Sequence, residues 1–152
     1  MANKNDPARY GSIGAWAKRC YLAGRSLMDS ALRPHGLGAT QWYVLHQLAE
    51  VGPTMQRDLV RLLQIERATL SIVIAALVRK GLVEQAGDTV DLRQKQLRLT
   101  PAGRSLWGEL PDLGFIQDVA FDGFSTSEIE TAARVLRLAT ERLAQHAKGA
   151  RT

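Results

Sequence analysis

The sequence of 152 residues is poor in the residue types that build metal sites and covalent cross-links. Its single cysteine, Cys20, excludes an intrachain disulfide and a cysteine cluster for zinc. Its three histidines, His35, His46 and His146, lie far apart and in no metal-ligand spacing, so we expect neither a metal nor another cofactor. The polar segment Met1–Tyr10 resembles neither a signal peptide nor a transmembrane start, which predicts a cytoplasmic protein with no membrane partner.

The motifs of an enzyme are missing as well. The 13 glycines form no phosphate-binding loop. The sequence has neither paired carboxylates nor a nucleophile beside a base in a catalytic pattern. We therefore predict a protein that is not an enzyme.

Positive charge is concentrated in one segment. Lys and Arg number 20 against 15 Asp and Glu, which gives a net charge of +5. Between Thr54 and Arg104 there are nine basic and five acidic residues, so most of the excess lies there. A basic balance favours a polyanionic partner.

The two ends of the chain predict long amphipathic helices. Apolar residues recur at three- and four-residue steps from Ile13, and this first helix ends near Pro34. Thr40 is a plausible N-cap for a second helix, and Ser125–Glu128 is a capping box that opens the last one. The terminal helices present more apolar surface than a small core covers, which predicts a dimer built from the termini.

The middle of the chain predicts a helix-turn-helix followed by a β-hairpin. Two helices, Thr54–Leu63 and Arg67–Lys80, are separated by only three residues and must cross at a steep angle. Two strands, Leu82–Gln85 and Gln96–Leu99, follow around a turn-rich stretch. This order of elements is typical of proteins that bind duplex DNA.

The predicted fold is mainly α with a small β-wing (α+β), in a single domain over residues 1–152. Residues from about 8–36 and 125–148 are the predicted dimerisation helices, and residues 54–100 are the predicted DNA-binding helix-turn-helix and wing. A fifth helix is predicted from Pro101, followed by an irregular stretch from Pro111 to Phe124.

The helix Arg67–Lys80 has two faces by spacing. The face expected to pack inward carries Leu70, Val73, Ile74 and Leu77. The residues expected to face a DNA groove are Arg67, Ala68, Thr69, Ser71, Ile72 and Ala75. Hydroxyls can bond to base edges, small apolar groups can contact thymine methyls, and an arginine can reach guanine or a phosphate.

The hairpin has cations near its predicted tip. Arg93 can enter a narrow minor groove, Lys95 lies beside it, and Asp91 can hold the arginine in position. The alternative is an ordinary solvated hairpin, which is less favoured directly after a helix-turn-helix.

These segments together resemble the MarR family of winged helix-turn-helix regulators, from about Ala8 to Lys148. The residues that carry the resemblance are Gly81–Val83, Asp88–Arg93 and Leu99–Gly103. The resemblance implies a homodimer with interleaved terminal helices that binds a palindromic operator, usually as a repressor relieved by a small ligand. It also implies that the wing arginine, here Arg93, probes the minor groove.

Two positions depart from the family pattern. The family often has arginine where this chain has Ile72, and a second wing arginine where it has Leu92. Each lost cation removes a potential phosphate contact, so we predict modest affinity with a flattened salt dependence.

The resemblance places a ligand pocket between the dimerisation helices and the winged lobe. Trp16, Arg19, Trp42 and His46 are the candidates for an aromatic acid or phenol. The alternative is that both tryptophans and His46 are interior residues and Arg19 is a surface charge. For Cys20, which falls on the apolar stripe, we predict a buried packing role; the alternative is a redox-sensing thiol.

A different class of function also stays open at this point. A winged-helix module can lose DNA binding and act through protein–protein interaction, and the apolar Ile72 and Ala75 on the outer face are compatible with that alternative.

Overall fold

The structure, a computed structural model, describes residues 7–87 and 95–150, and the chain divides into two compact units, Met1–Leu113 and Gly114–Thr152. In chain order the elements of the described residues are α1 (Pro7–Leu32), a 3₁₀ turn (Arg33–His35), α2 (Ala39–Glu50), β1 (Thr54–Met55), α3 (Gln56–Leu63), α4 (Arg67–Arg79), β2 (Val83–Ala86), β3 (Gln96–Leu99), α5 (Pro101–Glu109), α6 (Phe115–Phe121) and α7 (Thr126–Gly149). The fold is mostly helical with one small antiparallel sheet, which confirms the predicted class.

The helix-turn-helix has the predicted three-residue connection. Helix α3 ends at Leu63 and is followed by Gln64, whose φ of 50° lies in the left-handed region, and α4 begins at Arg67. A reversal of this kind directs the chain sharply away from the axis of the first helix. Leu59 of α3 and Leu70, Ile74 and Leu77 of α4 are buried, so the two helices contribute their apolar faces to one core.

The sheet contains a strand that the sequence does not predict. Its order is β1-β3-β2, with Thr54 opposite Leu97 and Val83 opposite Leu99. Thr54 and Met55 were expected to begin the third helix, but they pair with β3 and the helix begins at Gln56. The wing is thereby attached to the helix-turn-helix by strand pairing as well as by the chain itself.

Hydrogen bonds of Thr100, which follows β3, connect the start of α5 to the residues after α4. The Thr100 hydroxyl donates to the Gly81 carbonyl at 2.6 Å and accepts from the Gly103 N–H at 3.0 Å. The Thr100 N–H in turn donates to the Leu82 carbonyl at 3.1 Å. The sequence Leu99–Gly103 is therefore a helix cap that also closes the base of the sheet.

Helix α2 begins earlier than the sequence predicts. Its N-cap is Gly38 rather than Thr40, and the N–H of the buried Ala39, which has no partner within the helix, donates to Asp29 Oδ1 of α1 at 2.7 Å. Thr40 has a different role, since its hydroxyl accepts a hydrogen bond from Arg25 at 2.5 Å. A polar residue of a neighbouring helix has replaced the local cap.

The second unit contains α6 and α7. Helix α6 lies within the stretch that was predicted to be irregular, whereas α7 opens at the predicted capping box. Ser125 Oγ accepts from the Glu128 N–H at 3.1 Å, and a Glu128 carboxylate oxygen accepts from the Ser125 N–H at 2.9 Å. Among the described residues, no helix has the length and apolar character needed to cross a bilayer.

Two expectations about α1 are wrong for the chain as described. Cys20 was predicted to be buried, and Trp16 had an interior role as its alternative, but both are exposed, Trp16 at 64%. The described residues leave this part of the apolar stripe uncovered. Helical spacing identifies such a stripe without identifying what it packs against.

Candidate nucleic-acid interface

Helix α4 presents a continuous exposed face. The exposed residues on it are Arg67, Ala68, Thr69, Ser71, Ile72 and Ala75. Ile72 is the most solvent-exposed large apolar side chain of the helix, at 71%. The face combines two hydroxyls, one cation and small apolar groups, which are the groups that read base edges in a major groove.

The opposite face of α4 anchors the helix. Leu70, Ile74 and Leu77 are at most 1% exposed, and Val73 is half-buried. The spacing predicts this division into two faces, and the structure has it. Because three fully buried side chains fix the rotation of the helix, the exposed hydroxyls keep a defined direction.

A residue outside α4 contacts this face, and no sequence pattern predicts the contact. The Nε2 atom of Gln56, at the start of α3, donates to Ser71 Oγ at 3.2 Å. The contact joins residues that are 15 positions apart, so no helical periodicity reveals it. Only the crossing of the two helices brings the pair together.

Exposed cations surround the helix-turn-helix. Arg57 and Arg61 of α3 and Arg67 of α4 are all exposed. Arg98 on β3 is neutralised in part by Glu84 of β2, whose carboxylate lies 2.6 Å from its Nε. A cation that already has an acidic partner contributes less to attraction of a phosphate.

Lys80 and Lys95 differ in how they contact the rest of the protein. Lys80, at the end of α4, donates through Nζ to the Gly36 carbonyl and to Gln41 Oε1, the latter at 3.2 Å. Lys95 is half-buried and directly precedes β3, and its carbonyl accepts from the Gln56 N–H at 2.9 Å. Lys95 therefore lies beside the start of β3, at the end of the sheet opposite Thr100. The predicted wing residues Arg93 and Asp91 lie outside the described residues.

The ligand candidates of α2 form an aromatic cluster with a residue of α5. Trp42 stacks on His46 with ring centroids 4.9 Å apart, and Trp107 lies 5.6 Å from Trp42. The His46 ring also meets Trp107 nearly edge to face at 5.8 Å. His46 is exposed and Trp42 is half-buried, so the alternative of an interior role is wrong for His46. Trp107 was missed because its partners lie on a distant helix.

The two candidates of α1 contact each other. The Arg19 guanidinium lies 5.0 Å from the centroid of the exposed Trp16 ring. Such a cation–π contact holds the arginine along the indole face. The structure thus groups the four predicted ligand residues as one pair on α1 and one pair on α2. Within the described part of the chain, no group of three acidic, histidine or cysteine side chains has the geometry to hold a metal ion.

Comparison with known proteins connects this geometry to one family. The sequence model of the MarR family matches residues 35–94, which span α2, the helix-turn-helix and the first part of the wing. The match covers the segment in which the exposed face of α4 lies.

Three solved structures are similar to nearly the whole chain. A Pseudomonas aeruginosa protein assigned as a transcriptional regulator is 32% identical, with 86% of this chain and 96% of that chain covered and a TM-score of 0.66. BpsR of Bordetella bronchiseptica, whose DNA binding is regulated by 6-hydroxynicotinic acid, is 27% identical over 85% of this chain and 98% of its own, with a TM-score of 0.74. A Listeria monocytogenes protein assigned to the MarR family, crystallised with a 26mer DNA, is 26% identical over 89% and 88%, with a TM-score of 0.71.

Proposed function

This chain belongs to the MarR family of winged-helix, DNA-binding transcriptional regulators, and from that membership we propose that it is a homodimeric repressor that a small aromatic ligand releases from a palindromic operator. Proteins of this family are DNA-binding regulators and not enzymes. The observation that carries the proposal is the exposed face of α4, which is rigidly anchored by its buried side and rich in groups that contact bases.

In the proposed complex α4 lies in the major groove. Thr69 and Ser71 bond to base edges, Ala68 and Ile72 contact thymine methyls, and Arg67 reaches guanine or a phosphate. The Listeria relative that was crystallised with DNA supports this use of the fold. With Ile72 at the centre of the face, we expect a site that is read partly through methyl groups.

The wing completes the proposed contact. Arg93 enters the minor groove next to the α4 site, Asp91 positions it, and Lys95 adds a cation beside the start of β3. The limited charge of the α4 face predicts modest affinity. The salt dependence of the DNA-binding constant should correspond to fewer than about ten phosphate contacts.

In the proposed dimer, the second copy covers the exposed apolar side chains of the terminal helices. In the first unit, α1 exposes Ile13, Trp16 and Leu27, and in the second unit, α7 exposes Leu136 and Leu143. A two-fold dimer presents α4 twice, so its operator is palindromic, with half-sites about 34–36 Å apart or at a multiple of that distance.

The proposed ligand is a small aromatic acid or phenol. The cluster of Trp42, His46 and Trp107 offers ring faces, and Arg19 beside Trp16 offers a cation for a carboxylate. BpsR, the Bordetella relative, responds to a compound of this class. Release of DNA requires that the ligand binds the DNA-free conformation more tightly than the DNA-bound one.

One experiment tests the function in two stages. Selection of bound DNA from a random duplex pool is expected to enrich a palindrome, and a panel of small aromatic acids is then screened for release of the protein from it. The variant Thr69→Ala, on the α4 face, should alter the enriched sequence, whereas Thr131→Ala, exposed on α7 and off the stripe of Leu136 and Leu143 by helical spacing, should not. Absence of an enriched palindrome would refute the proposal.

A thiol-based release mechanism is a second candidate because the structure exposes Cys20. Peroxide treatment of the protein bound to its selected operator tests it directly. The thiol mechanism requires that peroxide releases the DNA and that Cys20→Ser prevents this release. If peroxide releases both the wild-type protein and Cys20→Ser from the operator, or releases neither of them, Cys20 is not the sensor.

A further inference from the structure

We propose that Gln56 is a positioning residue for sequence readout, which fixes the Ser71 hydroxyl as a hydrogen-bond donor toward the DNA. The inference rests on the proposed function, since it requires the exposed face of α4 to meet base edges. It adds a residue outside that face to the determinants of specificity.

Gln56 is held firmly between the sheet and α4. Its backbone N–H donates to the Lys95 carbonyl at 2.9 Å, which ties the start of α3 to the base of the wing. Its side-chain Nε2 donates to Ser71 Oγ at 3.2 Å. Both ends of the residue are therefore fixed, and the amide has a defined position next to the recognition surface.

The other atom of the amide determines the direction of the hydrogen bond. Gln56 Oε1 is buried and has no hydrogen-bond partner among the described residues. Turning the amide over would bury an NH₂ group, with two unsatisfied donors, in place of one carbonyl acceptor. The observed orientation leaves fewer polar groups unsatisfied, so Nε2 stays on Ser71.

The chemistry of Ser71 follows from this orientation. An amide NH₂ can only donate, so Ser71 Oγ accepts and its own proton is available for another acceptor. In the major groove guanine and thymine offer acceptors only, whereas cytosine offers a donor. A serine free to rotate bonds to any of the four bases, but a serine held as a donor disfavours cytosine, the one base that presents no acceptor there.

The test is selection from a random duplex pool with four variants of the full-length protein. Ser71→Ala identifies the operator position that depends on this hydroxyl, where we expect loss of a roughly fivefold preference for the other bases over cytosine. Gln56→Met has a similar length and no amide, and it should lose the same preference at the same position. The double variant should lose no more than either single one, because the two residues act through one contact.

Gln56→Glu gives the sharper result. A carboxylate only accepts, so Ser71 must donate to it and can then offer only lone pairs to the DNA. The preference at the Ser71 position should move toward cytosine or adenine, which present donors. Overall affinity is expected to fall at every site because of the added negative charge, and only the position-specific change bears on the inference.

Gln47→Met is the matched control. Gln47 Nε2 also donates to a hydroxyl, Thr54 Oγ1 at 3.4 Å, but this pair joins α2 to β1 and includes no residue of the exposed α4 face. Its loss should leave the base preference at every position unchanged. A shift in preference with this variant equal to that of Gln56→Met would overturn the inference.

The remaining outcomes separate the inference from the function it rests on. If the wild-type protein enriches no sequence, the proposed function fails and the inference fails with it. If the wild-type protein enriches an operator, two results overturn only the inference: Gln56→Met keeps the wild-type base preference, or its effect on that preference adds fully to the effect of Ser71→Ala. A Ser71 proton that bonds back to the Arg67 carbonyl would give this result. Should Gln56→Met not fold, NMR decides, since Ser71→Ala must shift the Gln56 side-chain amide signals and leave those of Gln47 in place.

Discussion

At the scale of single residues, Ile72 limits the positive charge that α4 brings to DNA in the proposed complex. Its side chain is 71% exposed in the middle of the recognition face, and it cannot contact a phosphate. We expect Ile72→Arg to strengthen binding to operator and to random DNA alike. The slope of log K against log salt should steepen by about 0.9 for one added phosphate contact. Fluorescence anisotropy at several salt concentrations measures this slope.

The control for this change is Val51→Arg. Val51 directly follows α2 and is 72% exposed. Its substitution by arginine changes the net charge by the same amount at a position outside α4. Its slope should stay close to that of the wild-type protein. Equal slopes for the two variants would mean that general charge, rather than contact from α4, governs the salt dependence.

Gly103 is required by the close approach of two backbones. A Cβ atom on Gly103 would lie 2.0 Å from the Leu82 carbonyl oxygen, which is too close for any side chain. Gly103→Ala must therefore move α5 away from the start of β2 and disturb the Thr100 cap. We expect a loss of about 3 kcal/mol in the free energy of unfolding, measured by urea denaturation.

The same substitution elsewhere on α5 gives the contrast. A Cβ atom on Gly108 would have no neighbouring atom within 4 Å, so Gly108→Ala should raise stability by up to about 1 kcal/mol. If both variants lost the same stability, the close approach to Leu82 would not be the cause of the loss at Gly103.

At the scale of elements, the start of α7 depends on pH through its capping box. The Ser125 backbone N–H and then its side chain donate to the Glu128 carboxylate, and they hold the pKa of Glu128 below the ordinary 4.5. A lowered folded pKa gives stability that is present above about pH 4.5 and is lost as the pH falls through the folded value. NMR titration should place the Glu128 pKa below 4.5 and return it toward 4.5 in Ser125→Ala. Ser127→Ala, in the same turn, should leave it unchanged.

Elements with local signals could be predicted from the sequence. The helix-turn-helix, the start of α5 at Pro101 and the capping box of α7 all follow from periodicity and capping residues, which act within a few positions. Strand β1 was missed because two residues carry no strand signal, and Thr54–Met55 becomes a strand only by pairing with Leu97 and Gln96. The short helix α6 was missed inside a stretch that was predicted to be irregular.

In the candidate site as well, the features within one element could be predicted and the contacts between elements could not. The exposed face of α4 follows from helical spacing alone. The contact of Gln56 with Ser71 and that of Trp42 with Trp107 depend on how separate elements cross, and the sequence pattern of one element does not contain this information. Cys20 and Trp16 were misjudged for a related reason, since an apolar stripe predicts burial only when its partner lies in the same chain.

At the scale of the whole molecule, the bare apolar stripes argue that the active form contains a second copy. Ile13 on α1 is 57% exposed and Leu143 on α7 is 72% exposed, each on a long helix with further exposed apolar residues. Soluble monomers rarely leave such surfaces uncovered. If these helices bind a second copy, a charge placed on either stripe must separate the subunits.

We therefore expect Ile13→Asp and Leu143→Asp each to change the sedimenting species from twice 16.7 kDa to the monomer mass. Operator affinity should fall by about a hundredfold or more, because two half-sites held on one dimer bind at high effective concentration and single subunits do not. Val51→Asp adds the same charge at an exposed valine outside both helices and should remain dimeric. A wild-type protein that sediments as a monomer would refute dimerisation, and a monomeric variant with undiminished operator affinity would show that DNA recognition needs only one copy of α4.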